Sequence, residues 1–323
     1  MMINEILHFH LPFICSAIIG NVSRLGLLKI NNLYSHSYTT NNTILYVNFT
    51  ACIFMGFLQV FNFGSYDSNL QVCLTTGYCG TFSSFSTYIY EIFIHTVMRA
   101  HQFPNYGCTV SEFFIVNILE LCVSMSGLKL GLSLAENTKS LLHIEEKEEK
   151  ISPTKYEVVI NKFGSFLKYV LTILSIPLTI IMLVLSIVYR HNHHSYWTIS
   201  SLFSIFGAYA RYYLSKYNGK LRNKWSFLPI GTYLANIIAT IILSILLILH
   251  QRYDSEYTKR LVLYSMIEGL TAAMSTMSTL MNEMNKLPLF RSSLYIFISV
   301  MSSYAMMIII VGSYKWTNQL EAL

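Results

Sequence analysis

Charged residues are scarce in this sequence. They make up 12% of its 323 residues, about half the share of an average soluble domain. So little charge cannot clothe a water-soluble globule of this length, so lipid must solvate much of the surface. No CxxC spacing links the six cysteines (Cys15, Cys52, Cys73, Cys79, Cys108 and Cys122), which all lie in the first half, so neither a zinc site nor a disulfide framework is indicated. No basic residue precedes the first apolar run, only Glu5, so that run is expected to stay as a helix rather than to be cleaved as a signal peptide. Paired carboxylates with a nucleophile, a metal cluster and a phosphate loop are all lacking, which leaves enzyme activity without support. His191, His193 and His194 fall at a helix end, where interfacial placement explains them better than metal ligation.

What is present is apolar length. Mean hydropathy is +0.47 and 53% of residues are hydrophobic. A bilayer core about 30 Å thick needs about 20 apolar residues per helix. Nine stretches qualify: Ile6–Leu28, Thr43–Phe63, Gly77–Val97, Val110–Leu134, Phe166–Tyr189, Tyr196–Leu214, Leu228–His250, Leu261–Met281 and Leu289–Tyr314. The fold class expected is therefore an all-α integral membrane protein with nine transmembrane helices. One long polar connection stands between the fourth and fifth, and its Glu145–Lys150 charge run reads as a solvated helix or loop. The net charge of +6 is modest, and Lys and Arg gather at helix ends, which suits membrane orientation and not nucleic acid. Their excess in connections on the N-terminal side, from Lys139 to Arg291, predicts a cytoplasmic N-terminus and, after nine crossings, an extracellular C-terminus.

Polar landmarks recur. Gly20 and Arg24 return as Gly207 and Arg211, and Asn48 returns as Asn236. The run Gly77–Tyr88 matches Gly269–Leu280, and Glu91 and Glu283 extend that match. The offsets stay near 190 residues, so helices one to four read as repeated in six to nine. The single fifth helix inverts the second copy. The domains expected are a first four-helix repeat over 1–135, a charged cytoplasmic loop over 136–165, a linker transmembrane helix over 166–190 and an inverted second repeat over 191–323. Inverted repeats commonly place a permeation or binding site where they meet.

Polar groups inside hydrocarbon are read as functional by default. Arg24 and Arg211 either snorkel to the interface or provide a positive vestibule for anions. Asn48 and Asn236 cannot snorkel, so each faces a neighbouring helix or an aqueous path. The runs holding Gly77, Gly80, Ser83, Ser84, Ser86 and Thr87 permit close helix packing, and they equally suit a helix that breaks beside a cavity. Phe85 and Tyr88 share a helix face. Such a pair is ordinarily core packing, although aromatic edges are positive and can also meet an anion. Tyr295, Ser299 and Ser303 form a hydroxyl stripe on the last helix, and Thr232 stands one turn before Asn236. Glu120 lies in the fourth helix against a partner or water, or titrates in a proton step.

Taken together, these residues resemble the fluoride channel family, the bacterial Fluc (CrcB) proteins and their fungal and plant exporters. Gly77–Tyr88 is similar to the family's G-x-x-G-x-x-T-T-F-S-T-F motif, Gly20–Arg24 and Gly207–Arg211 to its G-x-x-x-R signature, and Asn48 and Asn236 to its pore asparagine. The resemblance covers both halves and leaves out the fifth helix and charged loop. It implies a passive, fluoride-selective channel at the plasma membrane that exports F⁻, built as a monomer that acts as a pseudo-dimer in the lipid bilayer. It also implies pore-lining Ser84, Thr87, Thr276 and Thr279 beside the groups above, and a structural Na⁺ held by main-chain carbonyls of Gly80, Ser83, Ala272 and Ser275. Met277 and Leu280 stand where the motif has Phe, and Ile44 where the second half has Thr232. These departures lead to the expectation of one working pore beside a degenerate one. The competing readings are a coupled transporter on the same inverted-repeat architecture, for fluoride/proton exchange or small-molecule export with Glu120, Glu91 or Glu283 as proton carriers, and a non-transporting receptor or scaffold. The second is disfavoured because buried polar residues repeat without a soluble domain.

Overall fold

In the computed structural model, residues 5–33, 43–63, 67–141, 155–221 and 225–318 are described. The Glu145–Lys150 charge run lies outside them. Helix dominates because a chain in lipid must satisfy its own backbone groups. Among the described residues, five helices are long and apolar enough to cross a membrane: Ile6–Asn31, Tyr106–Leu141, Val158–Val188, Ile230–Arg252 and Leu289–Thr317. The protein is an all-α integral membrane protein.

In chain order the elements are α1 (Leu11–Leu33), α2 (Leu45–Val60), α3 (Ser68–Val72), α4 (Gly80–Phe82), α5 (Phe85–Phe93), α6 (Tyr106–Leu141) and α7 (Lys155–Val188). The remainder are α8 (Tyr196–Ser215), α9 (Ile230–Arg252), α10 (Tyr257–Met266), α11 (Ala272–Met274), α12 (Met277–Asn285), α13 (Leu289–Met307) and α14 (Ser313–Asn318). Wide π-type turns join α3 to α4 and α10 to α11. The third apolar stretch begins earlier than its hydropathy indicates, because Asp67 Oδ1 accepts from Asn69 N and Leu70 N and so caps α3. Similarly, α6 runs past residue 135 to Leu141 and α7 begins at Lys155, so helix reaches into both ends of the expected loop.

The third and eighth stretches both break. Ser83 (φ −88°, ψ 157°) and Ser84 (φ −142°, ψ 123°) are extended between α4 and α5. Ser275 (φ −84°, ψ 157°) and Thr276 (φ −152°, ψ 127°) repeat that conformation between α11 and α12. Each break restarts as helix because a hydroxyl caps it: Ser84 Oγ accepts from Thr87 N and Thr276 Oγ1 from Thr279 N, both at 3.3 Å.

Small residues set the packing. A Cβ at Gly20 would lie 2.7 Å from Tyr78 O, and one at Gly207 would overlap Leu270 O, so each glycine lets its helix rest on the broken segment of its own half. Gly127 and Gly131 bring α6 against the backbone of Phe49 and Ile53, making α2 and α6 the most extensive helix pair. Beyond each break the chain crosses over. Helix α5 packs on α9 and α13, while α12 packs on α2 and α6. Helix α7 rests on α1 and α8 and otherwise exposes Ile173, Ile176, Ile180, Leu183 and Ile187, a surface suited to lipid.

Candidate functional site at the crossing of two broken helices

Where the breaks meet, hydroxyls knit the halves together. Ser275 Oγ accepts from Ser86 N at 3.0 Å and lies 2.9 Å from Ser86 Oγ and 3.2 Å from Ser84 Oγ. In the matching arrangement Ser83 Oγ accepts from Ser278 N at 3.1 Å and lies 3.2 Å from Thr276 Oγ1. All six residues are buried. The Ser and Thr content of these runs therefore satisfies backbone that the breaks release.

Both asparagines serve the same breaks. Asn48 Oδ1 accepts from Ser84 N at 2.9 Å and Asn236 Oδ1 from Thr276 N at 2.8 Å. Asn48 Nδ2 also donates to Ser84 O at 3.2 Å and to the Glu120 carboxylate. Each thus clasps an extended peptide, and Glu120 gains its partner in Asn48.

Phe85 and Tyr88 are fully buried and meet edge to face, with centroids 5.6 Å apart and planes at 74°. The Tyr88 hydroxyl donates to Asn117 Oδ1 at 2.5 Å. Both rings share a core with Leu243, Tyr295 and Val300 of the second half. Tyr295 donates to Glu283 Oε2 at 2.9 Å, and Thr232 Oγ1 donates to Glu283 Oε1 at 2.7 Å. Ser299 and Ser303, one and two turns beyond Tyr295, are buried and neither hydroxyl has a protein partner. Thr87 Oγ1 lies 2.8 Å from Ser84 Oγ, and Thr279 Oγ1 accepts from Thr276 Oγ1 at 3.1 Å. Glu91, the counterpart of Glu283, accepts from Ile44 N at 2.5 Å at the start of α2, where the helix terminus favours negative charge.

Neither arginine snorkels. Arg24 donates to Asn21 Oδ1 at 2.5 Å and lies 3.8 Å from Glu268 Oε2. Its Nε and Nη1 are buried without a partner. Nearby, a cleft of about 210 Å³ is lined by Lys29, Thr87, Glu91, Leu243 and Glu268 among others. Arg211 is buried among main-chain carbonyls of the two breaks. Its Nη1 donates to Gly80 O at 2.6 Å and Ser275 O at 3.2 Å, and its Nη2 donates to Thr76 O and to Thr81 Oγ1 at 3.4 Å.

That placement bears on the expected Na⁺. Gly80 O and Ser275 O are two of the four carbonyls assigned to it, and both accept from the Arg211 guanidinium. A second unit positive charge about 4 Å away would meet a repulsion of about 4 kcal/mol at an effective dielectric of about 20. The donor set with Arg211 seated does not fit a further cation.

Asn21, Asn117, Asn218 and Glu268 also belong to this polar framework: Asn21 matches Ala208 and Glu268 matches Thr76, whereas Asn218 repeats Asn31 at the same offset of 187 as the arginines. Their position within or beside apolar runs is the signal that finds them.

A family model described as CrcB-like protein, Camphor Resistance (CrcB), matches residues 11–132 and again 198–312, more than half the chain. Fluoride export protein 1 of Saccharomyces cerevisiae is 28% identical over 364 residues, covering 98% of this chain and 96% of that protein. Fluoride export protein 1 of Schizosaccharomyces pombe is 26% identical and covers 94% of this chain and 95% of its own length. The Fluoride-specific ion channel FluC of Dehalococcoides mccartyi is 37% identical over 123 residues, 37% of this chain and 89% of that protein. No solved structure matches. This chain belongs to the CrcB-like protein family, whose model it matches twice along one polypeptide.

Proposed function

We propose that this chain is a passive, fluoride-selective channel that exports F⁻ along one working path. The observation that carries the reading is the pair of buried, partnerless hydroxyls of Ser299 and Ser303, on a helix packed against the one bearing Phe85 and Tyr88. Buried polar groups ordinarily find partners. Hydroxyls without one are free to donate to an ion that has shed its water.

From the cytoplasmic side the path runs past Thr232 and Tyr295, along Ser299 and Ser303, across the positive edges of Phe85 and Tyr88, and past Thr87 into the cleft beneath Arg24. Ring edges and hydroxyls stabilise the anion without a full charge that would hold it. The unpartnered Nε and Nη1 of Arg24 draw anions toward the cleft, while Glu268 offsets part of the charge. The counterpart surface has Met277 and Leu280 in place of rings and Glu120 in its wall. Without ring edges to meet an anion, that side is the degenerate one.

The same reading takes the chain as nine crossings in two inverted four-helix repeats joined by α7, a monomer acting as a pseudo-dimer at the plasma membrane. The N-terminus is cytoplasmic and the C-terminus extracellular. The repeated break conformation, the twofold family match and the crossing over of α5 and α12 support it. No ionic coupling is needed, because the inside-negative potential expels F⁻.

Purified protein in liposomes, with valinomycin setting the potential, is expected to release fluoride rapidly, without chloride loss and without a pH gradient. Release that needs a proton gradient would replace this reading with a proton-coupled transporter working through Glu120, the buried carboxylate bonded to Asn48.

A further inference from the structure

The two arginines stand at matching sequence positions, 187 residues apart, yet they have different neighbours. Three differences between the halves account for this. Gly80 corresponds to Ala272 at an offset of 192, and a Cβ at Gly80 would fall 2.5 Å from Arg211 Cζ. Only the half with glycine leaves room for a guanidinium. Thr76 corresponds to Glu268, so the first half offers Arg211 a main-chain carbonyl where the second offers Arg24 a carboxylate. Asn21 corresponds to Ala208, so Arg24 has a side-chain acceptor on its own helix and Arg211 has none. Ala272 closes one seat, and Asn21 and Glu268 hold Arg24 away from it. Gly80 opens the other, and only carbonyls and a hydroxyl receive Arg211.

The occupied seat lies where the two broken helices cross. Gly80 O belongs to α4 and Ser275 O to the opposite break, and the same Arg211 Nη1 donates to both. Carbonyls released by a helix break need a donor or a cation, and a planar guanidinium with several N–H donors supplies both at once.

From this we propose that the Arg211 guanidinium is the resident cation of the central carbonyl cage, so that the fold of this chain does not require Na⁺. The asymmetry would follow from the Gly80–Ala272 difference, with a fixed, covalently tethered charge replacing an exchangeable ion. The inference concerns assembly of the crossing and stands apart from what passes through the protein.

The test is thermal stability of the purified full-length protein in detergent, measured in N-methyl-D-glucamine chloride and with NaCl added to 150 mM at constant ionic strength. A ligand that binds only the folded state raises the melting temperature with its concentration. The wild-type midpoint is expected to move by no more than about 1 °C. Arg211→Gln removes the charge and keeps an amide donor, and Gly80→Ala fills the guanidinium's seat. Whichever folds is expected to melt lower than wild type and to gain several degrees on adding Na⁺. A saturable rise of several degrees in the wild type would overturn the proposal, and so would variants as stable as wild type without Na⁺. The readout does not involve fluoride, so failure of the channel reading would leave this result standing.

Discussion

At the scale of single residues, some buried polar side chains repair backbone at the breaks and others are left open. Asn48, Asn236, Ser83 and Ser275 are fully engaged at the breaks. Ser299 and Ser303 are engaged with nothing in the protein. A hydroxyl that makes no hydrogen bond adds no stability of its own, and its removal spares a desolvation cost. Ser299→Ala is therefore expected to melt within about 1 kcal/mol of wild type while fluoride efflux from liposomes falls several-fold. A marked loss of stability with unchanged efflux would make Ser299 a packing residue. The sequence marked the asparagines and the hydroxyl stripe, because polar atoms in apolar runs stand out. It could not say that Asn48 and Asn236 clasp peptides, since side-chain type does not reveal which neighbour an amide meets. Nor could it separate Arg24 from Arg211. Their different fates depend on Ala272, which falls inside the Gly269–Leu280 match, and on Glu268 and Asn21, which lie outside the matched landmarks.

At the scale of elements, the broken helices were legible from Gly, Ser and Thr content and their internal match. Their starting points were not, because a cap and not hydropathy begins α3. Asp67 caps that helix and pairs with Lys168 of α7, tying the linker helix to the first half. Partial burial raises the Asp67 carboxyl, but the Lys168 hydrogen bond and charge, with the amides of Asn69 and Leu70, outweigh it and hold the group below the usual carboxylate range. A depressed folded-state value stabilises above the unfolded value and is lost as pH falls through the folded one. The contribution should thus be constant from pH 8 down to about 5 and fade only below the ordinary carboxylate range. Asp67→Asn is expected to lower stability by about 1 kcal/mol at neutral pH, since the site is partly exposed. A difference from wild type that grew between pH 5 and pH 8 would contradict this account. The close contact of α2 with α6 has its sequence signal in the Gly127-x-x-x-Gly131 spacing. A Cβ at Gly131 would overlap the Ile53 backbone. Gly131→Val should force these helices apart and sharply reduce folded yield from membranes, and normal yield would show that the pair can separate without harm.

At the scale of the whole molecule, duplication and divergence together organise the protein. The family model matches twice, and both breaks share one conformation. The first half supplies Phe85 and Tyr88, and the second supplies Thr232, Tyr295, Ser299 and Ser303. Helix α5, which bears the rings, packs on α9 and α13, which bear the second set. The opposite assembly gathers Met277 and Leu280 with Asn48 and Glu120 through α12, α2 and α6. This division was visible in the sequence as complementary departures from one motif, while the pairing of each set across the halves needed the fold. The most direct test compares potential-driven fluoride efflux from liposomes for Phe85→Ile and Met277→Ile. The account predicts that Phe85→Ile reduces efflux at least tenfold while Met277→Ile stays close to wild type. Equal loss in both variants would contradict it.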